Sequence, residues 1–283
     1  MNSLVVLLLW AQTACAGSLL WAQAARAGSL PQLEAEWTKL DEGLFLSELD
    51  SPQKSTAGDS KITVLRIDPR VYSFRLLSAA ELHEPKMTAK EWCKKYRLLA
   101  AVNAGMYQDD GKTAVGYMQN FDYVNNRRLK PGMKAVLAFN AVDPNVPEIQ
   151  IIDRKCQKLD ELRPKYHTLI QGIRMIGCSQ SNVWSQQEAL WSMVVLAISS
   201  DGQALFIFTQ SPYSPHEFIN ILLALPLSIQ SAMYLEGGSE ASLYVDHGGV
   251  EVEKYGTHGT GFWSLFQNHG PWPIPHVIGI AKK

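Results

Sequence analysis

The stretch Met233-Tyr234-Leu235-Glu236-Gly237-Gly238-Ser239-Glu240-Ala241-Ser242-Leu243-Tyr244-Val245 joins two apolar runs through a polar segment that contains two glycines. The first run ends in a carboxylate and the second alternates, so the pattern predicts a strand, a polar elbow and a second strand. Glycine lacks the Cβ that would block a ligand, and consecutive amides in such a turn can bind an anion. The elbow is therefore either a plain hairpin turn or a site surrounded by Glu236, Ser239, Glu240 and Ser242.

The composition is that of a globular protein with a sizeable core. The chain has 283 residues, of which 46% are hydrophobic and 19% are charged, and this length allows one large domain or two small ones. A formal net charge of −1 provides no basic surplus for binding a phosphate backbone. We therefore expect no nucleic-acid partner.

The first 27 residues have the pattern of a secretory signal peptide. An apolar core at residues 4–10 is followed by small residues, and Ala25-Arg26-Ala27 fits a small-x-small cleavage site. Leu8-Leu9-Trp10-Ala11-Gln12 recurs eleven residues later as Leu19-Leu20-Trp21-Ala22-Gln23, which we interpret as a tandem duplication. Lipid attachment at Cys15 is the alternative. This pattern predicts a periplasmic or secreted protein, and no later window has the roughly 18 apolar residues of a membrane span.

Three cysteines remain after such a cleavage, namely Cys93, Cys156 and Cys178. They can form at most one disulfide, and Cys156 and Cys178 are the nearer pair in sequence. An inert buried thiol is the alternative for each. Their spacing is not that of a metal site, and none has the nucleophile context of a cysteine hydrolase. We expect no cofactor, and the sequence leaves the metal requirement open.

Short strands separated by turns dominate the chain after the leader. We interpret residues 28–60 as leader and loop, and the two alternating runs at residues 61–67 and 71–77 as a β-hairpin. Further predicted strands are residues 98–102, 115–121, 135–139, 148–152, 191–199, 203–209 and 276–280.

Helices are fewer, and two of them have clear start signals. Thr88 with Glu91, and Ser214 with Glu217, have the spacing of a capping box. The Asp201-Gly202 dipeptide between two apolar runs predicts a hairpin turn. The expected fold class is α+β, with a single domain built on a large mixed, mostly antiparallel sheet and few helices.

Some polar and aromatic residues lie where a ligand could reach them. Asn103 follows an apolar strand, which is a common position for site residues. Arg174 lies in an otherwise apolar run, so it needs an anion, which is either a carboxylate of this chain or a phosphate of a ligand. Trp263, Phe266 and Trp272 belong to a long loop, where their rings can stack on sugars or pack against the core.

Taken in order, these segments resemble the phosphodiester glycosidase family over about residues 60–281. The matching elements begin with two short motifs, Asn103-Ala104-Gly105-Met106-Tyr107 and Gly172-Ile173-Arg174. Next come the two strands joined by Asp201-Gly202 and the capped helix. The last element is Tyr234-Leu235-Glu236-Gly237-Gly238-Ser239, followed by Ser242. The chain departs from the family pattern in three places. Glu236 replaces an aspartate, Ser239 and Glu240 replace a glycine and a serine, and Trp191-Ser192 occupies a region that often contains an arginine.

The resemblance implies hydrolysis of the bond between a sugar's anomeric carbon and a phosphodiester oxygen. A carboxylate must serve the oxocarbenium-like transition state as nucleophile or base, with Glu236 as first choice and Glu240 as second. Arg174 and the amides of Gly237 and Gly238 would bind the phosphate.

The remaining candidates would contact the substrate. Asn103 would orient a sugar hydroxyl or a phosphate oxygen, and Ser242 would add a hydrogen bond. Ser239 and Tyr107 complete the expected substrate-binding set.

Our leading hypothesis is an exported hydrolase of a sugar phosphodiester, or of a related cell-envelope or exopolysaccharide glycan. Residues 61–283 would form the domain, and the partner would be a carbohydrate or sugar-phosphate substrate. The alternative is a catalytically silent periplasmic glycan-binding protein with the same fold.

Overall fold

Alternating apolar residues form strands throughout residues 35–257 and 270–283, the parts of the chain that the computed structural model describes. The strands are β1 Thr38–Asp41, β2 Leu44–Asp50, β3 Lys61–Ile67, β4 Tyr72–Ser78, β5 Ala100–Asn103, β6 Met118–Asn120, β7 Tyr123–Asn126, β8 Ala135–Ala141, β9 Ile149–Asp153, β10 Tyr166–Ile176, β11 Trp191–Ser199, β12 Ala204–Tyr213, β13 Ile229–Gly237, β14 Ser242–His247, β15 Val250–Tyr255 and β16 His276–Lys282. The expected signal peptide at residues 1–27, and Trp263 and Phe266, lie outside the described residues.

Helices are short and few by comparison. The α-helices are α1 Ala79–Leu82, α2 Ala89–Tyr96, α3 Leu159–Leu162 and α4 Pro215–Ala224, and the 3-10 helices are Arg163–Lys165 and Gly238–Glu240. Both predicted capping boxes are present: the side chains of Thr88 and Ser214 accept from the backbone of Glu91 and Glu217, whose carboxylates reach back to the cap. No helix in the described part of the chain is long and apolar enough to cross a membrane.

The strands form two antiparallel sheets. The larger has eleven strands in the order β1-β2-β3-β12-β11-β13-β10-β6-β7, with β8 pairing β10 and β9. The smaller has five strands in the order β15-β14-β5-β16-β4. The predicted α+β class is confirmed, with the strands divided between two packed sheets.

The main core lies between the sheets. Leu65, Phe206 and Leu235 of the larger sheet belong to the same buried cluster as Val102 and Ile278 of the smaller one. Each sheet also buries part of its outer face. Helix α4 packs on the larger sheet and helix α2 on the smaller, so the described chain from Ala35 onward forms one compact unit.

The predicted hairpin of residues 61–67 and 71–77 is wrong. Both strands exist, but β3 pairs with β2 and β12 in the larger sheet, whereas β4 pairs with β16 in the smaller one. The turn between them moves the chain from one sheet to the other, with the amides of Val71 and Tyr72 bonded to the Asp68 carbonyl. Period-two alternation predicts a strand but does not say which sheet it joins.

The interpretation of residues 28–60 as leader and loop missed two strands. β1 and β2 pair with each other, and β2 extends the larger sheet beside β3. β1, at the edge of the sheet, has one apolar residue, Leu40, whereas β2 begins with the unbroken apolar run Leu44-Phe45-Leu46 and lacks period-two alternation there. The predicted Asp201-Gly202 hairpin, by contrast, is confirmed by the antiparallel pairing of β11 with β12.

Cys156 and Cys178 form a disulfide, whereas Cys93 is a free, buried thiol. The bond joins the turn after β9 to the segment after β10. Of the two sequence-based alternatives, the disulfide is confirmed for Cys156 and Cys178, and the inert buried thiol holds for Cys93.

Candidate active site

The glycine-rich elbow connects the two sheets. β13 pairs with β10 and β11 in the larger sheet, and β14 pairs with β5 and β15 in the smaller. The 3-10 helix Gly238–Glu240 carries the chain between them. The plain hairpin alternative is therefore wrong, and the elbow is a crossover at the point where the sheets join.

Both glycines are required by the crossover, for different reasons. Gly238 has a φ of 67°, in the left-handed region that glycine adopts without strain. Gly237 is extended, but a Cβ on it would overlap the Tyr234 hydroxyl and the Trp191 indole. A side chain at either position would distort the crossover or displace those two rings.

Glu236 is the penultimate residue of β13 and lies beside a β-bulge. Glu236 faces Val194 on β11 and Tyr234 faces the next residue, Val195, so that Leu235 is an extra residue with no partner. Such a bulge re-aims the adjacent side chain. The side chain of Glu236 is partly exposed, and its Oε1 accepts from the Gly237 amide at 3.1 Å.

The electrostatic environment keeps a proton on Glu236 at neutral pH. Burial raises the pKa of its carboxyl to about 8, the Gly237 amide opposes this rise, and the nearby charge of Glu240 adds to it. A carboxyl group with such a pKa can donate a hydrogen bond or a proton at neutral pH. This arrangement favours a general acid over the nucleophile or base expected from the sequence.

Glu240 is the second carboxyl group of the crossover. Its Oε2 accepts a hydrogen bond from the buried Ser239 hydroxyl at 2.8 Å. Its charge contributes to the raised pKa of Glu236, so the two carboxyl groups lie near each other. They differ in surroundings, since Glu240 is stabilised by a hydroxyl donor and Glu236 is held in a less polar position.

Tyr107, Trp272 and Lys86 lie near the two carboxyl groups and are called the rim of the site. Burial raises the pKa of the Tyr107 phenol, the charges of Glu240 and Glu236 raise it further, and a hydrogen bond with Trp272 opposes the rise. The Lys86 ammonium lies 5.7 Å from the centre of the Tyr107 ring. These residues place aromatic surface and one positive charge at the rim, suited to a sugar with an anionic group.

Asn103 and Ser242 hold the crossover in place. The Asn103 side chain donates to the Glu240 carbonyl and accepts from the Ser242 amide, each at 2.8 Å. The Ser242 hydroxyl also donates to the Glu240 carbonyl, at 3.1 Å. Their described hydrogen bonds therefore go to the backbone around Glu240, and their expected substrate contacts remain predictions.

Replacing Asn103 with alanine is expected to weaken both the fold and the site. Loss of the amide leaves the Glu240 carbonyl with the Ser242 hydroxyl as its donor but takes the side-chain acceptor from the Ser242 amide, and an unsatisfied buried group costs about 1–3 kcal/mol. Denaturant unfolding would measure the loss, with the exposed Asn145 replaced by alanine as the control. Equal stability of the two variants would contradict the bracing role.

Trp191 and Tyr234 were not predicted as site residues. The Trp191 indole N–H donates to the Tyr234 hydroxyl at 3.1 Å, and both groups lie against Gly237. In the sequence, Trp191 was noted only as a departure from the family pattern, and Tyr234 was interpreted as one residue of an apolar strand. The signal that could have found them is the polar atom that each carries beside the elbow.

Arg174 is bound to a carboxylate that is not part of this cluster. It faces Met233 on β13, and its Nη1 contacts both oxygens of Asp153, at 2.8 and 3.0 Å. Asp153 ends β9 and also accepts from the amides of Lys155 and Cys178. Of the two sequence-based alternatives, the structure shows the carboxylate of this chain as the anion.

The region around Asp153 has its own cavity. A space of about 530 Å³ is lined by Asp153, both disulfide cysteines, and Gln230 and Ser231 at the start of β13. Glu236 lies at the opposite end of that strand, so this cavity and the crossover are separate. Asp153, Cys156 and Cys178 could hold a metal by their positions, but their disulfide removes the thiolates that would bind it.

Glycoside hydrolases use two carboxyl groups held in different environments, and the crossover carries two such groups, Glu236 and Glu240. Residues 96–281 of the chain match the sequence profile of the phosphodiester glycosidase family. The chain therefore belongs to the phosphodiester glycosidase family. A comparison with curated proteins gives no match.

Two solved structures share the fold. A hypothetical protein from Synechocystis matches with a TM-score of 0.62 and 16% identity over 91% of this chain, which spans only 65% of that protein's length. The catalytic domain of zebrafish N-acetylglucosamine-1-phosphodiester alpha-N-acetylglucosaminidase, auto-inhibited by its pro-peptide, matches with a TM-score of 0.57 and 11% identity over 88% of each chain. At these identities the likeness concerns the fold alone.

Proposed function

We propose that the protein is an exported hydrolase that cleaves the bond between a sugar's anomeric carbon and a phosphodiester oxygen. The observation that supports this most is Glu236, whose pKa burial raises to about 8. It stands beside Glu240 on the glycine-rich crossover of a phosphodiester glycosidase. The proposal adds to the family's glycosidase activity a class of substrate and a separate role for each of the two carboxyl groups.

The protonated Glu236 would face the phosphate. A neutral carboxyl donates a hydrogen bond to an anionic oxygen and, as the bond to the sugar breaks, transfers its proton to the phosphate oxygen that leaves, whereas a carboxylate in that position would repel the phosphate. Glu240, held by Ser239, would supply the negative charge that stabilises an oxocarbenium-like transition state or activates the attacking water. These roles reverse the sequence-based order, in which Glu236 was the first choice for nucleophile or base.

The zebrafish relative's name specifies an N-acetylglucosamine phosphodiester, and we propose this class as the first substrate to test. Tyr107 and Trp272 support a sugar at the rim, because aromatic faces pack against the C–H surface of a sugar ring. A related cell-envelope or exopolysaccharide glycan would suit the same rim.

Export is supported by two independent features. The Cys156–Cys178 disulfide is of the kind that persists in oxidising compartments such as the periplasm or the extracellular space. The first 27 residues have the pattern of a signal peptide. Together they favour a periplasmic or secreted location.

One observation favours the alternative of a catalytically silent glycan-binding protein. Arg174, the arginine expected to bind phosphate, is paired with Asp153. If no other group replaces it, a sugar could bind at Tyr107 and Trp272 without being cleaved.

Release of free N-acetylglucosamine from an N-acetylglucosamine phosphodiester distinguishes the two functions. We expect the intact protein to release the sugar, and to act far more slowly on an N-acetylglucosaminide that lacks phosphate, because alkoxide is the poorer leaving group. Binding of the diester without release would support the silent protein. Absence of both binding and release would contradict both proposals.

A further inference from the structure

The Tyr234 hydroxyl is the polar tip of an otherwise buried side chain. The residue is 7% exposed, and its ring packs among apolar residues on the outer face of the larger sheet, with the Trp184 ring 6.2 Å away. The hydroxyl end lies against Gly237. Only that end of the side chain therefore reaches the crossover.

Trp191 fixes how this hydroxyl can bond. The indole N–H is a donor only, so the 3.1 Å contact is a bond from Trp191 Nε1 to the Tyr234 oxygen. The hydroxyl's own hydrogen then needs an acceptor, and the hydrogen bonds among the described residues provide none. Buried polar groups normally have a partner, so a ligand is a natural acceptor for this hydrogen.

Gly237 allows the pair to reach the site. Its missing side chain leaves the space in which the hydroxyl and the indole lie, directly beside Glu236. Burial raises the pKa of the Tyr234 phenol, and the charges of Glu236 and Glu240 raise it further, which agrees with a hydroxyl end that lies near both carboxyl groups.

We propose that Tyr234 donates a hydrogen bond to a non-bridging phosphate oxygen of the substrate, and that Trp191 is the positioning residue that orients it. This inference rests on the proposed function and names the group that binds the anionic part of the substrate. Because Arg174 is paired with Asp153, the substrate phosphate needs another ligand, and Tyr234 would supply a neutral donor where an arginine was expected.

The chemistry of the pair selects phosphate over a sugar hydroxyl. With its oxygen occupied by Trp191, the Tyr234 hydroxyl offers mainly a hydrogen, and phosphate oxygens only accept. A sugar hydroxyl also has a hydrogen to place, which the pair does not satisfy. A hydrogen bond to a charged acceptor is also stronger than one to a neutral acceptor.

Tyr234→Phe removes the hydroxyl and keeps the ring. Dimethyl phosphate is a suitable probe, because it carries the diester charge and contains no sugar. We expect its dissociation constant to rise about 10- to 100-fold, as for loss of a hydrogen bond to a charged group. The kcat/KM for an N-acetylglucosamine phosphodiester should fall by a similar factor, whereas the value for a 4-nitrophenyl glycoside without phosphate should change less than about twofold.

Controls separate a binding role from a structural one. Tyr72→Phe removes another buried hydroxyl, which bonds the Glu42 carbonyl far from the crossover, and should leave phosphate binding unchanged. Trp191→Phe should weaken phosphate binding in the parent but have little further effect in the Tyr234→Phe background, because the two residues act through one hydroxyl.

These measurements separate a failure of this inference from a failure of the proposed hydrolase function. If the intact protein binds dimethyl phosphate through Tyr234 but releases no sugar, the hydrolase proposal fails and this inference holds. Failure of the intact protein to bind dimethyl phosphate would overturn the inference. Unchanged phosphate binding in Tyr234→Phe, or an equal loss of activity on both substrates, would also overturn it.

Discussion

Replacing Glu236 with glutamine is expected to reduce sugar release from an N-acetylglucosamine phosphodiester by about 10²- to 10⁴-fold, the usual contribution of a general acid or base. Glutamine keeps the size of the side chain and can still donate a hydrogen bond, but it cannot transfer a proton. Initial rates of sugar release, measured beside thermal unfolding, would separate lost chemistry from lost structure. We expect the variant to unfold at or above the parent's temperature, because a partly buried ionisable group is removed.

The pH dependence of the same reaction tests the protonation state. The folded-state pKa of Glu236 is raised to about 8, so the acid form predominates below that pH and is lost as the pH rises through it. The parent's kcat/KM should therefore fall on the alkaline side of pH 8. The residual activity of the Glu236→Gln variant should not show this fall above pH 8, which is called the alkaline limb of the pH profile.

A matched carboxyl group away from the site provides the control. Glu188 is exposed on the loop before β11, and Glu188→Gln should keep both the rate and the alkaline limb. Parent-like rates in Glu236→Gln would remove Glu236 from the mechanism. A parent profile that stays flat through pH 8 would contradict the acid role even if the variant were slow.

The crossover shows what the local sequence could and could not predict. Alternation around Leu235 and Leu243 identified two strands, and the glycines between them marked a turn with space for a ligand. Whether the strands pair with each other depends on which neighbours they find elsewhere in the chain. β14 pairs with β5, about 140 residues earlier in sequence, and no local pattern encodes that choice.

The polar partners of the site were partly visible in the sequence. Asn103 was recognised from its position at a strand end, and it does contact the crossover. Its described bonds are to backbone atoms, which sequence reasoning cannot separate from bonds to a substrate. Tyr234 was not predicted as a site residue, because the sequence does not show whether the hydroxyl of a tyrosine in an apolar strand bonds a ligand.

Replacing Arg174 with methionine is expected to cost about 3–5 kcal/mol of stability, as for breaking one half of a buried ion pair. The side chain of Asp153 is 4% exposed and that of Arg174 is 17% exposed, so the variant would leave a buried carboxylate with two amide donors only. Denaturant unfolding at neutral pH would measure the loss. Lys158→Met, which breaks an exposed pair with Glu161, is the matched control and should change stability by about 1 kcal/mol at most.

Acid should reduce the difference between the parent and Arg174→Met. Burial alone would raise the pKa of Asp153, but hydrogen bonds from Arg174 and from the amides of Lys155 and Cys178 outweigh burial and lower it. A carboxylate with a lowered folded-state pKa stabilises the fold above its unfolded pKa, about 3.9, and this contribution is lost as the pH falls through the folded-state value. Without Arg174 the buried carboxyl takes up its proton at a higher pH than in the parent, so the destabilisation should be greatest near pH 7 and shrink as acid protonates Asp153.

The same variant decides between the two interpretations of this arginine. Because its guanidinium is bound to Asp153, we expect Arg174→Met to keep its sugar release under conditions where it remains folded. The double variant Arg174→Met with Asp153→Asn should recover part of the lost stability, since no unpaired charge is left buried. If instead Arg174→Met lost sugar release while keeping the parent's stability, the arginine would bind the substrate phosphate, and the pairing with Asp153 would be only its resting contact.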